Sequence, residues 1–107
     1  TADLGGGSLE LVALDGHKQM TQHSLPIGAL ALVDETGGDI DAIRTRVDNT
    51  LAAEPWLNGT NAPALYLIGG GLRAIARLYM EAEDYPLHIL HGYSARARNL
   101  AAYARRL

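Results

Sequence analysis

Residues 1–24 read TADLGGGSLELVALDGHKQMTQHS, and the alternation inside this stretch decides the fold. The three glycines Gly5–Gly7 carry no side chain to pack and cost entropy in a strand, so they mark a turn. Beyond it, Leu9, Leu11 and Ala13 fall on one face, and Ser8 and Glu10 on the other. Asp15-Gly16 then separates two alternating runs, the signal of a tight hairpin. The returning strand covers about His17–Ser24. Met20 sits there among polar neighbours, so one of its faces is expected to meet water. Thr1–Leu4 opens in what reads as the middle of a strand. Three consecutive antiparallel strands are expected, joined by a glycine turn and a hairpin.

Working outward, Pro26-Ile27-Gly28 breaks the sheet pattern, and Ala29–Val33 has room for one or two helical turns before Gly37-Gly38. Asp39 is a good N-cap for a helix to about Glu54, with Ile40, Ile43, Val47 and Leu51 at helical spacing and Asp41 in the first turn. Pro55 stops that helix, and Trp56–Pro63 reads as a polar loop. Ala64–Ile68 is a continuous apolar run, expected to be a buried strand covered on both faces. Leu72–Ala82 has helical periodicity, Tyr85–Tyr93 reads as extended, and Ala95–Leu107 as helical. The order β-β-β, α, β, α, extended, α is the opening of an RNase H-like α/β domain. The expectation is a mixed sheet of three antiparallel strands followed by strand–helix units, with the last elements of such a domain partly missing.

At 107 residues and 48% hydrophobic composition, the chain can bury one core. A net charge of −3 argues against a broad nucleic-acid face. The absence of cysteine excludes disulfides, thiolate zinc sites and cysteine nucleophiles. No apolar run approaches the ~20 residues of a membrane span, and no secretory signal is visible. The opening lacks methionine, and the expectation is a piece of a longer protein, with part of any site outside residues 1–107.

Two glycine triplets concentrate the chemistry. In Asp3–Ser8, the bare turn Gly5, Gly6 and Gly7 presents successive N–H groups that a phosphate can approach closely. Ser8 adds a hydroxyl, and Asp3 at a strand end can hold a divalent cation. The competing reading is a tight turn capped by Asp3. Gly69, Gly70 and Gly71 fall between a strand and a helix, where N–H groups and a helix dipole favour an anion. Arg73 follows within reach of ligand or solvent, and close strand-to-helix packing would also account for this triplet. Both triplets are expected at the same edge of the sheet, near enough for one polyanion to bridge. His88 and His91 do not share a face in an extended segment, which points to local hydrogen bonding. His17 and His23 read as surface strand residues, and Glu10 as a partner for a backbone group or an Arg and not as a catalyst. Arg96, Arg98, Arg105 and Arg106 read as a solvated basic face.

DLGGGSLEL at Asp3–Leu11 closely resembles the second phosphate motif of the Ppx/GppA family, the exopolyphosphatases and guanosine pentaphosphate phosphohydrolases. SLPIGALAL (Ser24–Leu32), IGGGLRAIARLY (Ile68–Tyr79) and YPLHILHGY (Tyr85–Tyr93) resemble its following blocks, in order. Two positions depart from the pattern: Leu72 stands where an aromatic is usual, and Ala31 where many relatives carry Arg. The resemblance implies an actin-like, RNase H-like protein of two halves around a cleft, with residues 1–107 as most of the second half. It also implies hydrolysis of terminal phosphoanhydride bonds in polyphosphate or guanosine pentaphosphate, with Mg²⁺. Asp3 would then be the cation-associated residue, and Gly5, Gly6, Gly7 and Ser8 the phosphate turn. Gly69, Gly70, Gly71 and Arg73 would form the second glycine motif. The catalytic Glu and the first phosphate motif would lie in the N-terminal half, outside this chain, leaving the fragment alone inactive. A cytoplasmic homodimer is the expected state of the full-length protein. A non-catalytic regulatory module that binds phosphate or nucleotide, and a kinase of the same superfold, are the rival readings.

Overall fold

Alternation in residues 9–25 gives a hairpin whose inner face seeds the core. The computed structural model describes residues 1–59 and 62–107. Its sheet comprises β1 (Ala2–Leu4), β2 (Leu9–Asp15), β3 (Lys18–Leu25) and β4 (Leu67–Ile68). The strand order is β3-β2-β1-β4, with β1 antiparallel to β2 and parallel to β4. The sheet therefore has four strands, not three. Among the described residues the helices are α1 (Ala29–Thr36), α2 (Ile40–Ala52), α3 (Pro55–Gly59), α4 (Gly70–Ala82) and α5 (Ala97–Ala104).

The chain divides into two units, Thr1–Gly70 and Gly71–Leu107. In the first, side chains directly opposite one another share a face. Ala2, Leu11 and His23 are aligned across three strands, as are Leu4, Leu9 and Leu25. Ala2, Leu11 and Leu25 are buried from that face with Ile27 and Leu32. Leu9, Ile43, Val47, Leu51, Trp56 and Leu57 pack around them. Ile43, Val47 and Leu51 of the α2 stripe thus form its core face, while Ile40, the first residue of the helix, is 64% exposed. Asp39 caps α2 by accepting from the N–H groups of Asp41 and Ala42 at 2.9 and 3.1 Å. Gly37 ends α1 with φ 65°, the left-handed conformation that suits glycine.

Local corrections have physical reasons. Asp15 pairs with Lys18, so Gly16 and His17 form the hairpin turn, and Met20 is extruded as a bulge between the Ala13 and Leu14 registers. Pro55 ends α2 but also starts α3, since a proline needs no N–H at a first helical position. The loop expected over Trp56–Pro63 is therefore helical to Gly59, and Thr60 and Asn61 lie outside the described residues. His23 is not a simple surface residue. It stacks on Trp56 at 5.0 Å, and its Nδ1 lies 2.8 Å from Glu54 Oε2, the atom that also accepts from Trp56 Nε1. β4 is shorter than the run Ala64–Ile68 and is not buried: Leu67 and Ile68 are 42% and 49% exposed. It contributes no residue to the core of its unit, which the helices build over β1–β3.

In the second unit, Tyr79 and Met80 of α4 are buried, and Tyr79 meets Tyr103 of α5 with ring centroids 5.3 Å apart. Residues 85–93 form no strand; Tyr85 and Tyr93 close the segment edge to face at 5.0 Å. Burial, followed by the charges of Tyr79, Glu83 and Tyr85, raises the Tyr93 phenol above its ordinary 10.0. Among the described residues, no helix is long and apolar enough to cross a membrane.

Candidate functional site

The turn Gly5–Ser8 leaves the C-terminal end of β1 and is closed by the Gly5 N–H donating to the Ser8 carbonyl at 2.9 Å. The Ala29 N–H donates to the Gly5 carbonyl at 3.0 Å. Leu30 and Ala31 donate to the Gly6 carbonyl at 2.9 and 3.0 Å. The carbonyls of the turn are thus taken up by the first turn of α1. Among the described residues, the N–H groups of Gly6, Gly7 and Ser8 meet no protein acceptor. Gly5–Gly7 are exposed. None of the three has a positive φ, and a methyl built on Gly7 would find nothing within 4 Å. The fold itself does not require a glycine at position 7.

Asp3 pairs with Glu10 across β1 and β2, and Glu10 pairs with Ser24 across β2 and β3, so the three form a polar row on the face opposite the core. Glu10 Oε1 accepts from Ser8 Oγ at 2.5 Å and from Ser24 Oγ at 3.1 Å. Glu10 is thus held by two hydroxyls and not by the backbone group or Arg expected for it, and it also stands in line with Asp3. Two carboxylates in register across a strand pair repel, and the hydroxyl pair offsets this at Glu10 alone. Among the described residues, no donor or cation meets the Asp3 carboxylate.

The second glycine motif divides. Gly69 has φ 106°, and a methyl on it would come 2.6 Å from the Leu4 carbonyl oxygen and 3.0 Å from Asp3 Oδ1. Glycine is compulsory there. β4 runs parallel to β1, with Ile68 opposite Asp3, so the Gly5 turn and Gly69 leave neighbouring strands at the same end. Gly70 and Gly71 are not turn residues but the first two residues of α4. Asp3, Gly5, Gly6, Gly7, Ser8 and Gly69 are therefore brought together in the first unit. Gly71 and Arg73 belong to the second.

Whether these residues suit magnesium follows from the donor set. Mg²⁺ keeps several waters and takes one or two carboxylates plus substrate phosphate oxygens. A carboxylate without a partner among the described residues, beside a glycine turn and with no Cβ on Gly69 to come within 3.0 Å of its Oδ1, fits that mode. It does not fit an all-protein cage: among the described residues, no three His, Asp or Glu converge.

Gly28 carries a role that sequence reasoning missed. It stands at the N-cap of α1 without a side-chain cap bond, a place where glycine is also common. A glycine is ordinary at an N-cap, so the sequence carried no signal of the close approach to the Gly6–Ser8 backbone.

Comparison with known proteins agrees with the four sequence blocks. The model of the Ppx/GppA phosphatase family matches residues 1–107. A search of curated proteins found no match.

Proposed function

The chain belongs to the Ppx/GppA phosphatase family, and we propose that it supplies the phosphate-holding half of a phosphohydrolase acting on polyphosphate or guanosine pentaphosphate. The observation that carries this reading is the row of N–H groups at Gly6, Gly7 and Ser8 beside the Asp3 carboxylate, all without a protein partner among the described residues. Oriented donors of this kind act on phosphate charge without reorganising during reaction. Asp3 would hold Mg²⁺, which when bound neutralises phosphate charge and orients the terminal group. Glu10 fixes the Ser8 hydroxyl, and Gly69 lets β4 end against Asp3. The four-stranded mixed sheet with its helices is taken as an RNase H-like half. The carboxylate that positions the attacking water comes from outside residues 1–107.

The test is Asp3→Ala in the protein that carries this chain. Phosphate release from polyphosphate and from guanosine pentaphosphate is followed at limiting Mg²⁺. A fall in turnover with an unchanged melting temperature is expected. Wild-type turnover at limiting Mg²⁺ would remove the cation role. Retained binding of both substrates with no phosphate release by the unaltered protein would favour a sensing module instead.

A further inference from the structure

Gly28 is held at φ −70° and ψ 156°, a conformation open to any residue. Conformation therefore does not select glycine here; contact does. A methyl on Gly28 would come 2.3 Å from the Gly7 carbonyl carbon, 2.3 Å from the Ser8 nitrogen and 2.4 Å from the Gly6 oxygen. All three are backbone atoms of the turn, with no flexible side chain to give way. Elsewhere on the turn the nearest contacts are softer: a methyl on Gly6 would first meet the Leu30 side chain, at 3.1 Å.

A peptide unit is planar and trans, so its C=O and N–H point in opposite directions. The Gly5 carbonyl faces the Ala29 N–H, and the Gly6 carbonyl faces those of Leu30 and Ala31. The N–H groups of Gly6 and Gly7 must then point away from α1. We infer that Gly28 is the positioning residue of this turn: its bare Cα lets the Gly7–Ser8 peptide seat on the start of α1, which draws in the carbonyls and aims the N–H groups outward. The first donors of α1 are spent on Gly5 and Gly6, so α1 orients the turn and is not itself the anion site. The inference rests on reading the turn as a phosphate site.

The experiment uses inorganic tripolyphosphate with Mg²⁺ as probe, binding measured by calorimetry and the fold by amide NMR. Gly28→Ala is expected to weaken binding about tenfold or more, the scale of losing one hydrogen bond to a charged group. The amide shifts of Leu11, Ile27 and Leu32 should persist. Gly28→Ala that binds like the wild type overturns the inference. Gly7→Ala, which obstructs the turn without touching Gly28, is the control: if it also binds normally, the phosphate reading fails and takes this inference with it. Should Gly28→Ala not fold, hydrogen exchange on the unaltered chain decides. Tripolyphosphate is expected to slow exchange at Ala29, Leu30 and Ala31 together with Gly6–Ser8. Slowing confined to Gly6–Ser8 would refute the coupling.

Discussion

Gly7→Ala should move stability and ligand affinity in opposite directions. Gly7 has an ordinary φ and nothing within 4 Å of a built methyl, so the native state accepts alanine without strain. Alanine also narrows the unfolded ensemble, which stabilises a compatible site by about 0.4–1 kcal/mol. In a unit of this size that raises the melting temperature by about 2–8 °C. The same methyl stands where a phosphate would approach the Gly7 and Ser8 N–H groups. Losing one hydrogen bond to a charged ligand costs about 1.5–3 kcal/mol, or about 10- to 150-fold in Kd. Thermal unfolding and tripolyphosphate calorimetry on the same preparation read both numbers. A variant that melts lower would mean the fold constrains position 7. One that binds unchanged would mean the turn does not hold phosphate.

Gly69→Ala should behave oppositely, lowering stability by at least ~2 kcal/mol, because φ 106° and the 2.6 Å approach to the Leu4 oxygen both exclude a methyl; denaturant titration measures it. Gly71→Ala, in the first turn of α4 with open space around it, should stabilise the chain by up to ~1 kcal/mol by the same method. Glu54→Ala removes the acceptor shared by His23 and Trp56 and should cost about 1 kcal/mol, with Trp56 fluorescence shifting toward that of a solvated indole. For Tyr93, the raised folded pKa means the neutral phenol is favoured in the native state. Its stabilising contribution is complete below the unfolded value of 10.0 and is lost as pH rises through the folded value. Phenolate absorbance should therefore show one tyrosine titrating late, and Tyr93→Phe should remove it.

Much of the first unit was legible because its signals are local. The alternation of Leu9, Leu11 and Ala13 is the core face of β2, and Asp39 caps α2 as its side chain allows. The hairpin turn falls at Gly16-His17, one residue later than expected, and the Met20 bulge shifts the register again farther from the turn; no short pattern encodes either. An apolar run such as Ala64–Ile68 reports the hydrophobicity of its side chains but not what covers them. At the candidate site, Asp3 and the Gly5–Gly7 turn stood out in sequence. The grouping of Gly69 with Asp3 depends on parallel pairing of β1 with β4, across more than sixty residues of chain. Gly28 was the least legible, since its constraint comes from backbone atoms twenty positions earlier.

The central claim is that the N–H groups of Gly6, Gly7 and Ser8 are the phosphate donors, and amide NMR of the chain titrated with Mg²⁺ and tripolyphosphate tests it most directly. The account predicts that these three amides move first and furthest, downfield as hydrogen bonds to phosphate form, with Asp3→Ala reducing the Mg²⁺ dependence of the shifts. Shifts confined to the arginines of residues 96–106, with Gly6, Gly7 and Ser8 unmoved at saturation, would contradict it.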